Sequence, residues 1–153
     1  MAERRHRTGK TALSLGRLDR LLGFHLRMAS AALARDFAVA VEGLDLTQKQ
    51  FAVLELIAAN PHVSQTEIGG ALGTDRATMM AVVDRLETRG LLKRGPAVND
   101  RRRQALALTE AGHDLLREAA ARVAAHEAGF RARLDETGAE RLIALLRQIH
   151  ATA

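Results

Sequence analysis

Two groups of side chains in this sequence have types and spacings suited to chemistry. The first consists of Arg76, Thr78 and Arg85, which lie on a segment with helical periodicity after a short turn. The second is the run 100–103, an aspartate followed by three arginines between turn-forming residues. An arginine side chain presents a planar fork of N–H donors that fits a phosphate or a guanine edge. These residues therefore predict recognition of a polyanion rather than bond-making chemistry.

Other kinds of reactive site find little support in the sequence. The chain has no cysteine, which excludes disulfides, cysteine-based zinc sites and thiol redox sensing. Its six histidines show no His-x-x-x-His pair on one helix face, so neither a metal site nor a cofactor is predicted. No Gly-x-Ser-x-Gly turn and no Gly-x-Gly-x-x-Gly loop occurs, so the sequence does not predict an enzyme.

Length and charge set the broad class. The 153 residues suggest one domain, and the formal net charge is +5. The segment between Thr74 and Gln104 contains eight cationic and four anionic residues, so positive charge is concentrated there. The basic N-terminus is not followed by an apolar signal region, and no apolar run approaches the ~18 residues of a membrane span. We therefore expect a cytoplasmic protein.

The elements that position these residues are mostly helices. Residues 1–12 are expected to form a flexible basic arm. The arm could add phosphate contacts, but a solvated tail is the simpler interpretation and the one that we favour. From about Leu13 to Ala40, apolar residues recur at spacings of three and four, which predicts one long amphipathic helix. That stripe consists of Leu18, Leu22, Leu26, Ala29, Leu33 and Phe37.

Two helix starts follow the same pattern. Thr47 with Gln50, and then Ser64 with Glu67, form capping boxes in which each side chain bonds the other residue's backbone N–H. Thr74 is expected to cap the next helix. In that helix the residues at i, i+3, i+4 and i+7 form a buried stripe: Met79, Val82, Val83 and Leu86.

A hairpin and two more helices complete the pattern. Residues 91–94 and 104–108 read as strands joined by a turn-rich loop, and Thr109 caps a helix that reaches about Arg133. A last helix follows residues 135–138 and has a wide apolar face. That face fits either a second subunit or the first helix of the same chain, and both arrangements are compatible.

Two helices followed by a basic hairpin form a helix-turn-helix with a wing, a module that enters both grooves of duplex DNA. Arg76 and Thr78, near the start of the predicted recognition helix, are candidates for major-groove contacts. Arg85 is expected to meet a phosphate, and Thr74 joins the set at the helix start. Ser64 and Gln65, with the amides of the preceding helix, are phosphate candidates.

At the wing tip, Arg102 is the candidate for the minor groove, where an arginine gains from the enhanced negative potential. Arg101 and Arg103 are candidates for phosphates. Asp100 is expected to accept hydrogen bonds within the loop and so hold Arg102 in place. The plainer alternative is a solvated run of charges.

The region resembles the MarR family of bacterial regulators. The matching residues are Asp84-Arg85-Leu86-Glu87, Arg89-Gly90-Leu91, Asp100-Arg101-Arg102 and Leu108-Thr109, and the helix order extends the resemblance over residues 13–150. It implies a mainly α fold with a small β-wing. It divides the chain into a helical dimerisation region, residues 13–45 and 110–153, and a winged helix-turn-helix, residues 46–109. Ala81 departs from the pattern, since that position is often polar in the family.

The resemblance also implies a homodimer on a pseudo-palindromic operator of double-stranded DNA, usually as a repressor. It implies a cleft where a small aromatic acid, or an aromatic acyl-CoA, lowers DNA affinity. The candidates for that ligand are His25, Arg27, Phe51 and His62, although His25 also suits an ordinary core or interface position. The alternative function is a non-specific architectural DNA protein, which would not outlast an excess of unrelated DNA.

Overall fold

The computed structural model describes residues 13–96 and 104–151. Those residues form a mainly helical protein with one two-stranded antiparallel sheet, which confirms the expected fold class. In chain order the elements are a 3₁₀ helix (Gly16–Arg20), α1 (Leu22–Ala40), α2 (Gln48–Ala59), α3 (Gln65–Ala71), α4 (Arg76–Thr88), β1 (Leu92–Pro96), β2 (Gln104–Leu108) and α5 (Glu110–His150). None of the described helices is long and apolar enough to cross a membrane.

The first predicted helix is divided. A 3₁₀ helix that contains Leu18 comes first, and Leu21 then takes an extended conformation (φ −92°, ψ 113°) before α1 begins. The prediction of one continuous helix was wrong here because apolar spacings of three and four satisfy a 3₁₀ turn as well as an α-helix. The chain separates into two compact units between Leu33 and Ala34.

The core of the second unit lies under the helix-turn-helix. Its largest fully buried side chains come from α2, α3, α4 and the hairpin, and they are Val53, Leu54, Ile68, Met79, Val83, Leu86, Leu92 and Leu106. Three of the four predicted α4 stripe residues are therefore fully buried, and Val82 is half-buried. Phe37, near the end of α1, joins this core.

Both predicted capping boxes are present, at Thr47 with Gln50 and at Ser64 with Glu67. The predicted cap of α4 was wrong by one residue. Asp75 is the N-cap, and its Oδ1 accepts a hydrogen bond from the Thr78 backbone N–H at 2.9 Å. Thr74 instead donates its hydroxyl to the Leu72 carbonyl at 3.3 Å. Both residue types cap helices well, and an ionised carboxylate is the stronger acceptor.

The long C-terminal helix is interrupted where the sequence predicts a break. Asp135 has non-helical angles (φ 54°, ψ 171°), and its Oδ1 accepts a hydrogen bond from the Gly138 backbone N–H at 2.7 Å. The carboxylate therefore begins the second helical segment as a cap. Beyond it Leu142, Leu145 and Ile149 are 40–49% exposed, so the second segment carries an uncovered apolar face within the described chain.

Candidate nucleic-acid interface

The helix pair α3 and α4 is closely packed because two glycines allow it. Gly73 adopts φ +56° in the connecting turn, a conformation that costs a glycine little. Gly69 is buried, and a Cβ on it would lie 3.2 Å from the Thr74 carbonyl oxygen. These two glycines thus let α3 and α4 pack closely, while the first turn of α4 stays exposed.

The outer face of α4 carries the predicted contact residues. Thr78 and Arg85 are exposed and face away from buried Met79 and Val83. Arg76 is also exposed, on the flank at the start of the helix, where it lines a cavity together with Met79. Within residues 13–96 and 104–151, the side chains of Arg76 and Arg85 have no hydrogen-bond or ion-pair partner. Their guanidinium groups are therefore available to a ligand such as a phosphate or a base edge.

The start of α4 is fixed by its cap. Hydrogen bonds from Thr78 to the exposed Asp75 carboxylate lower the pKa of Asp75 below its ordinary value of 3.8. The carboxylate is consequently ionised at neutral pH, where it holds the first turn that carries Arg76 and Thr78. The first turn of α4 is therefore already formed before a ligand binds.

Three of the predicted site residues share one groove. A cavity of about 290 Å³ between α3 and α4 is lined by Gln65, Thr66, Gly69, Gly70, Thr74, Arg76 and Met79. Gln65, Thr74 and Arg76 thus meet at its edge. Ser64 is engaged elsewhere, since its hydroxyl donates to Glu67 Oε2 at 2.6 Å and accepts from the Glu67 backbone N–H at 3.3 Å.

Sequence reasoning missed one residue of this surface, Arg94 on β1. Its guanidinium contacts the carboxylates of Asp84 and Glu87 on α4. Its Nη2 also lies 3.5 Å from the Gln65 amide oxygen on α3. The acidic pair Asp84 and Glu87 on α4 was the only hint in the sequence, because the three partners of Arg94 are 7, 10 and 29 residues away from it.

The wing-tip candidates Asp100, Arg101, Arg102 and Arg103 lie outside the described residues, as does the N-terminal arm, residues 1–12. The hairpin stem is described, and its last pair joins Pro96 to Gln104, directly before and after the segment 97–103. Leu106 also donates its backbone N–H to the Val63 carbonyl at 2.8 Å, which attaches β2 to the start of α3.

The four ligand candidates occur in two separate settings. In the first unit, His25 is exposed, with its Nε2 2.9 Å from the Asp19 carbonyl oxygen, and Arg27 lies over the Phe24 ring at 5.8 Å. In the second unit, Phe51 is half-buried, with its ring centroid 5.8 Å from that of Phe37.

His62 is exposed and lines a depression of about 450 Å³ with Leu56, Asn60, Pro61, Val63, Glu67, Ile68 and Ala71. Phe51 is not among those lining residues, so this depression does not unite the two candidates of the second unit. No group of three or more His, Cys, Asp or Glu side chains in the described part of the chain is placed to hold a metal ion.

Comparison with known proteins gives one consistent result. The sequence profile of the MarR family matches residues 44–103. A protein of Thauera aromatica, described as a transcriptional regulatory protein for the hcr operon, is 35% identical over 130 residues, which cover 84% of this chain and 78% of that protein.

Two solved structures of a transcriptional repressor, CouR, have a very similar fold. One, bound to a 23-mer DNA duplex, has a TM-score of 0.85 and 38% identity, over 91% of this chain and 99% of that chain. The other, bound to p-coumaroyl-CoA, has a TM-score of 0.82 and 37% identity, over 90% of this chain and 97% of that chain.

Proposed function

The chain belongs to the MarR family of transcriptional regulators, and from this premise we propose that it is a repressor released from its operator by an aromatic acyl-CoA. The observation that carries the proposal is the exposed surface of α4. It offers the exposed, unpaired guanidinium groups of Arg76 and Arg85 on a helix whose first turn is fixed by Asp75. A preset cationic helix of this kind suits the major groove of duplex DNA.

The contacts divide by function. Arg76 and Thr78 read base edges in the major groove, while Arg85 and the Gln65–Thr74 edge of the groove bind phosphates. Arg102 enters the minor groove, and Arg101 and Arg103 bind phosphates beside it. The support for this division is the exposure of the α4 residues and the position of the hairpin stem directly before and after residues 97–103.

A homodimer presents two such surfaces. Residues 13–45 and 110–153 form the dimerisation region, and residues 46–109 the DNA-binding region. The support is the exposed apolar row on the second segment of α5, since soluble proteins seldom leave contiguous apolar patches uncovered. Two-fold symmetry then places the two α4 helices in successive major grooves of a pseudo-palindromic operator.

The effector is an aromatic acyl thioester, as in the CouR complex with p-coumaroyl-CoA. This chain has no tryptophan or tyrosine, so an aromatic ligand stacks on phenylalanine. In the second unit Phe51 is the proposed aromatic contact and His62 a polar one, while His25 and Arg27 are separate candidates in the first unit. The anionic CoA portion also suits a protein of net charge +5. Because the effector lowers DNA affinity, DNA must lower effector affinity by the same factor.

The test is a titration of p-coumaroyl-CoA into a complex of the protein with its operator, with CoA alone and p-coumarate alone as matched controls. We expect the thioester to release the DNA and each half to do so far less well. Release by p-coumarate alone would show that the effector is a free aromatic acid and not its thioester. No release by any of the three compounds would contradict the proposed class of effector.

The same titration tests whether the protein also acts as an enzyme. We propose that it binds the thioester without turnover. The p-coumaroyl-CoA should therefore be recovered intact after prolonged incubation with the protein, and the appearance of free CoA above the level of a protein-free control would contradict this.

A further inference from the structure

Arg94 joins three elements of the DNA-binding region. Its guanidinium contacts Glu87 Oε2 and Asp84 Oδ1, and its backbone N–H donates to Glu87 Oε1 at 3.3 Å. We call Arg94, Asp84 and Glu87 the carboxylate clamp. The Arg94 side chain is 22% exposed, against 53% for Asp84, so the clamp lies at the boundary between the protein and solvent. One arginine of β1 is thus held by two acids of α4.

The clamp extends to α3 through Gln65. The Gln65 Oε1 lies 3.5 Å from Arg94 Nη2, within reach of a weak hydrogen bond. When that oxygen accepts from Arg94, the part of the Gln65 side chain that remains free is the Nε2 amide, which can only donate. A phosphate can only accept, so this arrangement leaves Gln65 in the form that suits a phosphate.

The net charge of the clamp does not favour DNA binding. Two carboxylates and one guanidinium sum to one negative charge, on a part of the surface that includes the exposed Asp84 of α4. Negative charge beside a phosphate backbone weakens binding. Electrostatic attraction therefore does not explain a clamp at this location. What its contacts do is attach β1 to α4 and α3.

We propose that Arg94 is a positioning residue for DNA recognition: its bonds to Asp84, Glu87 and Gln65 fix the wing stem against α4, so that helix and wing reach the operator together. This inference rests on the proposed function, because it requires that α4 and the wing bind the same DNA. It adds a role for Arg94, Asp84 and Glu87, none of which needs to contact a base.

The first test removes the acids. In the double variant Asp84→Ala, Glu87→Ala the net charge rises by two, so electrostatics alone predicts tighter binding to any DNA. We expect operator affinity to fall about tenfold, the scale of two partly exposed charge-assisted contacts, while affinity for unrelated DNA stays the same or rises. The ratio of the two affinities distinguishes positioning from a general loss of structure, which would lower both.

The matched control is Asp114→Ala, Glu118→Ala on α5. Asp114 pairs with Arg117 at 3.0 Å and Glu118 with Arg122 at 2.6 Å, so the control also removes two paired acids and adds the same charge. We expect its operator affinity to equal or exceed that of wild type. Operator binding by the Asp84/Glu87 variant that matches or exceeds this control would overturn the proposal.

The second test conserves charge, in case the double variant does not fold. In Arg94→Lys a single ammonium replaces the fork that bridges both acids. We expect operator affinity to fall severalfold with the dimer and the melting temperature unchanged, whereas the neighbouring exchange Lys93→Arg should have no effect. Equal operator affinity of Arg94→Lys and wild type would overturn the proposal. Arg76→Ala, measured in the same series, reports on the proposed recognition surface independently of the clamp.

Discussion

The junction between the wing and α5 depends on one glycine, Gly112. A Cβ built on Gly112 would lie 1.9 Å from the Leu91 carbonyl oxygen, where contacts below 3.0 Å essentially never occur. The two backbones must therefore separate by about 1 Å before an alanine side chain fits. The approach is held by Thr109, whose backbone N–H donates to the Leu91 carbonyl at 3.1 Å and whose hydroxyl donates to the Gly90 carbonyl at 2.6 Å.

The expected cost of Gly112→Ala follows from three contributions. Alanine improves helix propensity, which stabilises the folded state by about 1 kcal/mol. Separating the backbones weakens the two Thr109 hydrogen bonds, which costs about 1–3 kcal/mol, and the residual crowding costs about 1–3 kcal/mol more. We therefore expect a net destabilisation of about 1–5 kcal/mol, or a melting temperature lower by about 2–20 °C in a protein of this size.

Gly129→Ala is the matched control. Gly129 lies on the same helix, is exposed, and a Cβ on it would meet nothing within 4 Å. The same exchange should here stabilise the protein by about 0.5–1 kcal/mol through helix propensity. Urea unfolding of the two variants and wild type, at one protein concentration because a dimer's stability depends on concentration, gives both values. A Gly112→Ala variant as stable as Gly129→Ala would refute the close approach of α5 to Leu91.

Further predictions concern pH, assembly and DNA. The folded-state pKa of Asp75 lies below its ordinary value of 3.8, so the ionised cap stabilises the fold above pH 3.8, and this stabilisation is lost as the pH falls through the folded-state pKa. Melting temperatures measured along an acid titration should show the loss. In Asp75→Asn, which has no carboxylate to protonate, the loss should be smaller. Leu145→Asp, at a side chain 49% exposed on the apolar row, should give a monomer by light scattering, whereas Ala144→Asp on the opposite face should remain dimeric. Arg102→Ala should weaken operator binding by about 1–3 kcal/mol with the dimer intact; a variant that binds like wild type would remove Arg102 from the interface.

Much of the DNA-binding region could be predicted because its determinants are local. The capping boxes at Thr47 and Ser64 each involve residues three apart, and the buried stripe of α4 follows from helical periodicity. The break at Asp135 was similarly local, since the capping carboxylate and the Gly138 N–H are three residues apart. Such features depend little on the rest of the fold.

Other features depend on contacts between distant segments, and sequence reasoning missed them. Arg94 reaches Gln65 across 29 residues, and Gly112 meets Leu91 across the hairpin. A single sequence carries no record of either approach. The cap of α4 was missed for a different reason: Thr74 and Asp75 are adjacent good caps, and only the backbone angles decide between them.

The central claim, that this protein recognises a particular operator through α4 and the wing, is tested most directly by selecting bound fragments from a pool of genomic DNA. Wild type and Arg102→Ala are compared at near-physiological salt, since protein–DNA affinity depends steeply on salt. We expect wild type to enrich a pseudo-palindromic site that the variant loses. Retention of fragments that share no site would contradict the claim and indicate an architectural DNA protein instead.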